Sequence, residues 1–319
     1  MTIPATFSRI LVTGATGFMG RHITPALAAA FSAGEIFPVG RKDYDLLDPG
    51  QAARMLADLR PDTVVHLAGK VGGIIANKKY PADFYYENLL INTHVFHASF
   101  KAGVKKFLTV MGGCSYPAVA TSPISEDQMW DGLPQQESAP YSCAKKMMLI
   151  QSESYRRQYG FNSVVVIPGN VYGEHDNFNE EYSHVIPAFV RRFIESADCK
   201  APAITCYGTG RPTRDFVYAG DVAATIPWFL GNYDSSAPIN ISSGSRTSIR
   251  ELAETLKAAT GFSGDIRWDT TKPDGQMDKI FDVTRLHRLG LSCPTTLQDG
   301  LRRTAAWFRE ARPRGEVRL

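Results

Sequence analysis

Two residues with complementary proton chemistry stand four apart in the run Tyr141-Ser-Cys-Ala-Lys145. At that interval both side chains lie on one face of a helix. A lysine ammonium close to a phenol lowers the phenol's pKa, so the tyrosine can exchange a proton near neutrality. Tyrosine and lysine meet at this spacing often by chance, and the pair gains meaning only from the fold around it. A second constellation lies near the start of the chain. In ILVTGATGFMGRHI, Gly14, Gly17 and Gly20 follow an apolar run and open a helical pattern. Glycines there allow a tight turn and close backbone approach, while a helix N-terminus offers N–H groups and a positive dipole end to a pyrophosphate.

The elements that must position these residues form an alternating series. RILVTG, EIFPVG, DTVVHLAG, KFLTVMG and NSVVVIPG are apolar runs of strand length, and helical spacing fills Phe18 to Phe31, Gln51 to Leu59, Ala82 to Ala102 and Tyr141 to Tyr159. Continuous apolar strands alternating with helices predict an α/β fold, a doubly wound parallel sheet of the Rossmann type covered on both faces. The glycine turn then follows the first strand, and the tyrosine–lysine pair follows the fourth. After about Tyr172 the rhythm breaks. The polar stretch GEHDNFNEEYSH precedes the helix VIPAFVRRFIES, then short elements follow: ITCYG, DFVYAG, DVAATIPWFL, INISSG and SIRELAETLKAATG. The expected division is a dinucleotide-binding domain over residues 1–172 plus about 219–245, and a smaller α/β substrate domain over 173–218 plus about 246–311. Residues 312–319, RPRGEVRL, are expected to be a flexible tail.

Composition narrows the function classes. The 319 residues carry 35 Lys plus Arg against 32 Asp plus Glu, a net charge of +3, with 44% hydrophobic and 21% charged residues. This suits two globular domains and gives no global electrostatic case for nucleic acid or a membrane surface as partner. The five cysteines, Cys114, Cys143, Cys199, Cys206 and Cys293, are widely spaced with no CxxC pair. Neither a disulfide framework nor a metal site is expected, and a reducing compartment fits better. The N-terminal lead MTIPATF lacks the pattern of a signal peptide, and no run approaches the ~18 apolar residues of a membrane span. A cytoplasmic location is the expectation.

The second strand ends IFPVGRKDYD, so Arg41 and Lys42 precede Asp43. An acidic residue at this place accepts from the ribose hydroxyl of NAD, whereas cations suit the additional phosphate of NADP. Arg41 and Lys42 alone read equally as a solvated turn. Their location after the second strand favours NADP, with NAD as the second reading.

A pair Y-x-x-x-K after the fourth strand of a dinucleotide fold is similar to the proton-transfer pair of the short-chain dehydrogenase/reductase superfamily. Within it, the chain resembles the GDP-L-fucose synthase family over nearly its whole length. The distinctive stretches are KVGGIIANKKYPADFYYENL, PYSCAKKMMLIQSESYRRQYG, GNVYGEHDNF, SHVIPAFVRRF, YGTGRPTRDF and KPDG with DVTRLHRLG. The resemblance implies an NADPH-dependent 3,5-epimerase and 4-reductase of a GDP-linked sugar. The 4-ketone of GDP-4-keto-6-deoxymannose acidifies the hydrogens at C3 and C5, so a base and an acid can invert both centres through enolates. By resemblance these groups are Cys114 and His184, after which NADPH delivers hydride to C4 while Tyr141 supplies the proton, with Lys145 beside it. A thiol of pKa about 8.5 and an imidazole of about 6.5 bracket the working pH of such an exchange. Taken without the family, Cys114 reads as a small strand-end hydrophobe and His184 as a helix-start residue.

The resemblance also implies a cofactor site of Gly14, Thr16, Gly17, Phe18, Met19, Gly20, Arg41, Ala68, Lys145, Pro168, Val171 and His184. Arg192 and Arg214 match basic residues that hold the nucleotide diphosphate. Tyr207 stands where the family can carry tryptophan, and Asn170, Lys272 and Asp274 are further substrate-pocket candidates, with solvated surface charge the other reading of the last two. A homodimer through two helices of the dinucleotide domain is also implied.

One position departs from the superfamily. Ser or Thr is expected four residues before the tyrosine of the strand-end motif, and in MGGCSYP that place is Gly112. Ser115 cannot simply substitute, because successive residues of an extended segment point to opposite sides. Three functions stay open: an epimerase-reductase acting on a keto-hexose or keto-heptose, an epimerase whose nicotinamide cycles at C4 without net redox change, and a non-catalytic NADP-binding protein. The first predicts NADPH oxidation with deuterium uptake at C3 and C5, the second turnover without added cofactor, and the third neither.

Overall fold

The computed structural model describes residues 7–179 and 182–319. The N-terminal lead over residues 1–6, and Glu180 and Glu181 of the polar stretch, lie outside them. The first half runs β1 (Arg9–Thr13), α1 (Phe18–Ala30), β2 (Glu35–Val39), α2 (Pro49–Leu59), β3 (Thr63–His66), α3 (Ile74–Lys79), α4 (Pro81–Lys101), β4 (Lys106–Val110), α5 (Ala139–Tyr159) and β5 (Ser163–Pro168). There follow β6 (Asn170–Tyr172), α6 (Val185–Asp198), β7 (Ala203–Tyr207), β8 (Thr213–Arg214), β9 (Phe216–Tyr218), α7 (Ala219–Asn232) and β10 (Ile239–Ile241). The chain closes with β11 (Thr247–Ser248), α8 (Ile249–Thr260), β12 (Asp265–Asp269), β13 (Asp278–Lys279), α9 (Thr284–Arg288) and α10 (Leu297–Ala311).

Six strands form the central sheet in the order β10-β5-β4-β3-β1-β2. Adjacent pairs among β1 to β5 are parallel, with Ile10 opposite Ile36 and Thr63, and Leu108 opposite Val65 and Val164 across their respective pairs. The order reverses after β1, as in a doubly wound Rossmann-type fold, and the glycine turn leaves the sheet there. Every residue of β3 and β5 is buried, which is why valine and isoleucine fill the middle of these strands. Pro38 sits in β2 at the sheet edge, where a missing N–H breaks no ladder. Local signals set the helix ends: Asp48 accepts from Gly50 N (2.7 Å) before Pro49 starts α2, and Gly160 closes α5 at φ 67°.

The chain divides into two compact units. One comprises residues 1–120, 126–168 and 222–240; the other comprises 121–125, 169–221 and 241–319. The first packs Leu11, Met55, Val64, Val95, Phe107 and Met148 around Phe96, whose ring meets Phe107 at 4.8 Å and Phe161 at 5.3 Å, edge-on. In the second, α6, α8 and α10 converge through Phe189, Phe193, Leu252, Leu256, Leu301 and Phe308.

The compact units depart from the expected division in several places. Residues 121–125 belong with the second unit because Ile124 N donates to Ile280 O (2.8 Å) and Asp282 N to Ile124 O (2.9 Å). Strand β6 does too, paired with β9 by Asn170 opposite Phe216 and Tyr172 opposite Tyr218. The expected flexible tail is held, since Phe178 N donates to Arg318 O at 2.8 Å.

Candidate active site

In the first unit, the turn from β1 into α1 forms a cradle. Gly14 has φ 71°, and a Cβ there would lie 2.7 Å from Ala68 N, so the turn admits neither an L side chain's conformation nor its bulk. At Gly20 a Cβ would meet Gly14 O and lie 2.5 Å from Ala15 Cα, so only glycine lets α1 pack this close to the strand end. Gly17 is the N-cap of α1 and has no capping side chain, which leaves first-turn N–H groups for a ligand. Phe18 and Met19 are half-buried in that turn, with the Phe18 ring edge-on to His22 at 5.6 Å. These features fit a dinucleotide pyrophosphate.

The end of β2 bears on the ribose position. Asp43 Oδ2 accepts from Gly40 N at 2.7 Å, so this carboxylate shapes the turn. Arg41 and Lys42 are exposed, as is Thr16, whose Cγ2 lies 2.9 Å from the Cβ position of Gly40.

Tyr141 and Lys145 lie in the first two turns of α5. The Tyr141 ring stands edge-on to Phe84 of α4, with centroids 6.1 Å apart and planes at 83°. Lys145 is 4% exposed, and its Nζ comes within 2.9 Å of the Cβ position of Gly69, which Asn88 Oδ1 also approaches at 2.7 Å. Burial pushes Lys145 down to about 8, partly offset by the Cys114 charge. The Tyr141 phenol differs from expectation: burial, and then the negative charge of Cys114, raise its pKa well above the ordinary value. Tyr141 is therefore held protonated.

Cys114 follows β4 in a single 3₁₀ turn over Gly113–Ser115, so the segment is not extended as expected. A Cβ on Gly112 would lie 3.2 Å from Cys114 Sγ and 3.9 Å from Tyr141 Oη. One point thus joins three residues, one of them distant in sequence. Gly112 itself has φ −94° and ψ 146°, a conformation open to any residue. Ser115 is fully buried and donates to Ser142 O at 3.2 Å, so its hydroxyl is turned into the protein and does not replace the missing one.

The remaining candidates lie in the second unit, except for Ala68 just past β3 and Pro168, buried at the end of β5. His184 is the exposed N-cap of α6 and makes no capping bond, and the protein around it lowers its imidazole pKa. Val171 pairs with Val217, while Asn170 Nδ2 is occupied by Asp215 O at 2.8 Å. Arg192 donates to Thr205 O (2.5 Å), and Tyr207 is exposed two residues further along β7. The Arg214 guanidinium donates to Gln276 O (2.6 Å) and Thr213 O (2.8 Å), neutral carbonyls that leave its charge in place. The loop after β12 closes on it, with the Gly275 Cβ position 3.3 Å from Arg214 Nη2. Asp274 is engaged in the turn of YGTG, accepting from Thr209 N (2.8 Å) and Thr209 Oγ1 (2.6 Å), while Lys272 is exposed nearby.

Sequence reasoning missed a polar chain beneath the glycine turn. Thr13 Oγ1 meets His66 Nδ1 at 2.8 Å, and His66 Nε2 meets Asn92 Oδ1 at 3.1 Å. Burial, with a contribution from the Lys145 charge, pushes His66 down to about 3, so the ring is neutral. Asn88 holds the strand-end loop, donating to Lys70 O (3.0 Å) and accepting from Lys70 N (3.1 Å). The available signal was Phe84, Asn88 and Asn92 at successive helical turns, two amides on an otherwise apolar face.

Residues 10–242 match the model of the NAD dependent epimerase/dehydratase family. Over 315 residues the chain is 37% identical to the GDP-L-fucose synthase of Escherichia coli, covering 96% of this chain and 98% of that one. Its fold is similar to a GDP-L-fucose synthetase of Naegleria fowleri bound to NADP, with TM-score 0.90, 28% identity and coverage of 100% and 99% of the two chains. A GDP-6-OMe-4-keto-L-xylo-heptose reductase of C. jejuni is also similar, with TM-score 0.89, 28% identity and coverage of 96% and 99%. With the glycine cradle, the tyrosine–lysine helix and the cysteine turn in place, the chain belongs to the NAD dependent epimerase/dehydratase family and, within it, to the GDP-L-fucose synthases.

Proposed function

We propose that this enzyme carries out NADPH-dependent 3,5-epimerisation and 4-reduction of a GDP-linked 4-keto-6-deoxy sugar. The observation that carries the reading is the Gly112 position, from which Cys114 Sγ and Tyr141 Oη stand at 3.2 and 3.9 Å. A soft proton carrier for carbon and a proton donor for oxygen are thereby gathered at one place. Cys114 and His184 act as the base and acid that take a proton from C3 or C5 and return one to the opposite face. Enolate charge then develops on the C4 oxygen, where the protonated Tyr141 donates a hydrogen bond. Bound NADPH supplies hydride to C4, and Tyr141 gives its proton to the oxygen. Lys145 stabilises the phenolate left behind.

Gly14, Thr16, Gly17, Phe18, Met19 and Gly20 line the dinucleotide cradle in this reading, with Ala68, Pro168 and Val171 nearer the nicotinamide end. The commitment of Asp43 to Gly40, with Arg41 and Lys42 exposed, supports NADP over NAD. Arg192 and Arg214 hold the diphosphate, Tyr207 offers a flat apolar face to the base, and Asn170, Lys272 and Asp274 border the sugar nucleotide. Exposed Tyr85 and Tyr86 on α4 and Met147 and Ile150 on α5 support pairing with a second copy. Among the described residues no helix is long and apolar enough to cross a membrane, and a cytoplasmic site of action accords with the free cysteines.

The test is incubation with GDP-4-keto-6-deoxymannose and NADPH in heavy water, followed by product NMR. One NADPH consumed per product, with deuterium at C3 and C5, is expected. Epimerised product without net cofactor consumption would identify the non-redox epimerase instead, and absence of both changes would overturn the reading. A GDP-linked 4-keto-heptose assayed alongside distinguishes the sugar.

A further inference from the structure

Reduction of a ketone is fastest when more than one donor holds the oxygen on which charge develops. Around Tyr141 Oη the expected second donor is missing, because Gly112 has no side chain. Nearby Ser115 cannot supply one: its hydroxyl is buried and spent on Ser142 O. What borders the vacated place is sulfur, with Cys114 Sγ only 3.2 Å from where a Cβ of residue 112 would stand. That separation is tighter than ordinary contact, so a side chain at position 112 would require the present thiol to give way by a few tenths of an ångström. The glycine has no conformational reason to be there, since φ −94° and ψ 146° suit any residue. The absence of a side chain is therefore what distinguishes this position.

We infer that the Cys114 thiol serves the reductive step as well as the epimerisation, donating its S–H to the C4 oxygen beside Tyr141 in the place of the missing hydroxyl. This rests on the epimerase-reductase reading above. No covalent step is added: the sulfur, protonated once it has taken its proton from carbon, keeps that proton during reduction, hydride still reaches C4, and the proton on the product oxygen still comes from Tyr141. The consequence is a coupling of two half-reactions through one side chain. Loss of the sulfur removes both the carbon-proton exchange and the second hydrogen bond.

Three variants separate these roles: Cys114→Ala, Cys114→Ser, and Gly112→Ser combined with Cys114→Ala. In the last, removal of the sulfur frees the space that a serine side chain at position 112 needs. NADPH oxidation and deuterium uptake at C3 and C5 are followed with GDP-4-keto-6-deoxymannose. All three should lose most deuterium uptake. Cys114→Ala should also lose about 10-fold or more of the reductive rate, whereas Cys114→Ser and the double variant should recover most of it and release a C4-reduced sugar without deuterium at C3 and C5. A readout free of turnover is the ¹³C shift of the C4 carbonyl bound with NADP⁺. It should move upfield in Cys114→Ala and return in the double variant. An active wild type whose Cys114→Ala variant keeps its full reductive rate and carbonyl shift overturns this inference. So does a double variant no faster than Cys114→Ala. A wild type silent toward this substrate counts instead against the epimerase-reductase function.

Discussion

Ser115 Oγ donates to the main-chain carbonyl of Ser142 at 3.2 Å, with both residues buried. Each directly follows a residue of the proposed chemistry, Cys114 in one case and Tyr141 in the other. This hydrogen bond therefore clamps the turn after β4 to the first turn of α5. Ser115→Ala should lower kcat by roughly 10-fold with little change in KM, since the clamp sets geometry and not substrate affinity, and should cost about 1 kcal/mol of stability. Steady-state kinetics together with a denaturant titration would check both effects.

Gly20→Ala should abolish tight dinucleotide binding while retaining much of the fold. The added Cβ meets Gly14 O and lies 2.5 Å from Ala15 Cα, so α1 must move off the turn proposed to cradle the pyrophosphate. A loss of about 100-fold or more in NADPH affinity, on the order of 3 kcal/mol, is expected by fluorescence titration.

Arg41 and Lys42 stand exposed while Asp43 is bound to Gly40 N. Replacing both cations by alanine should raise the KM for NADPH about 10-fold or more and leave that for NADH nearly unchanged, because only the former carries the additional phosphate. Equal effects on the two cofactors would show that the pair does not read this phosphate.

The reductive rate should fall as pH rises through about 8, because Lys145 loses there the charge that stabilises the Tyr141 phenolate. A lysine ordinarily titrates near 10.5, so an alkaline limb this low reports burial of the ammonium. The measurement is kcat/KM against pH, with the oxidation of NADPH as readout.

His66 makes stability sensitive to acid. Its folded pKa of about 3 lies below the ordinary 6.5, so the unfolded chain binds the extra proton in between. The stability contributed by the buried neutral ring is complete above 6.5 and is lost progressively as pH falls toward 3, by about 1.4 kcal/mol per pH unit. His66→Gln should flatten this dependence between pH 3 and 6.5 in urea titrations, even if it lowers stability at neutral pH by breaking the bonds to Thr13 and Asn92.

Much of this molecule could be read along the chain. Strands β1, β3, β4 and β5 announce themselves because burial on both faces demands continuous apolar residues, and Gly14 and Gly20 because local close approach leaves no alternative. Helix α10, which the sequence reading did not single out, carries Leu297, Leu301 and Phe308 at helical intervals on one face. The tail after it is not legible along the chain, because its tether is a long-range backbone bond from Phe178 N to Arg318 O, and backbone pairing leaves no trace in side-chain composition.

By itself the sequence determined the fold class, the glycine turn after β1 and the helical spacing of Tyr141 and Lys145, since each depends on residues a few positions apart. Tertiary structure decided what those residues are. It turned the Ser115 hydroxyl inward, brought Cys114 and Tyr141 to the empty place at Gly112, and bound Asp274 to Thr209 and Asp43 to Gly40. It also reversed the expected pKa of Tyr141, because burial of the phenol and then the negative charge of Cys114 both oppose its ionisation. Ionisation, hydrogen bonding and spare volume depend on what the packed chain brings within a few ångströms.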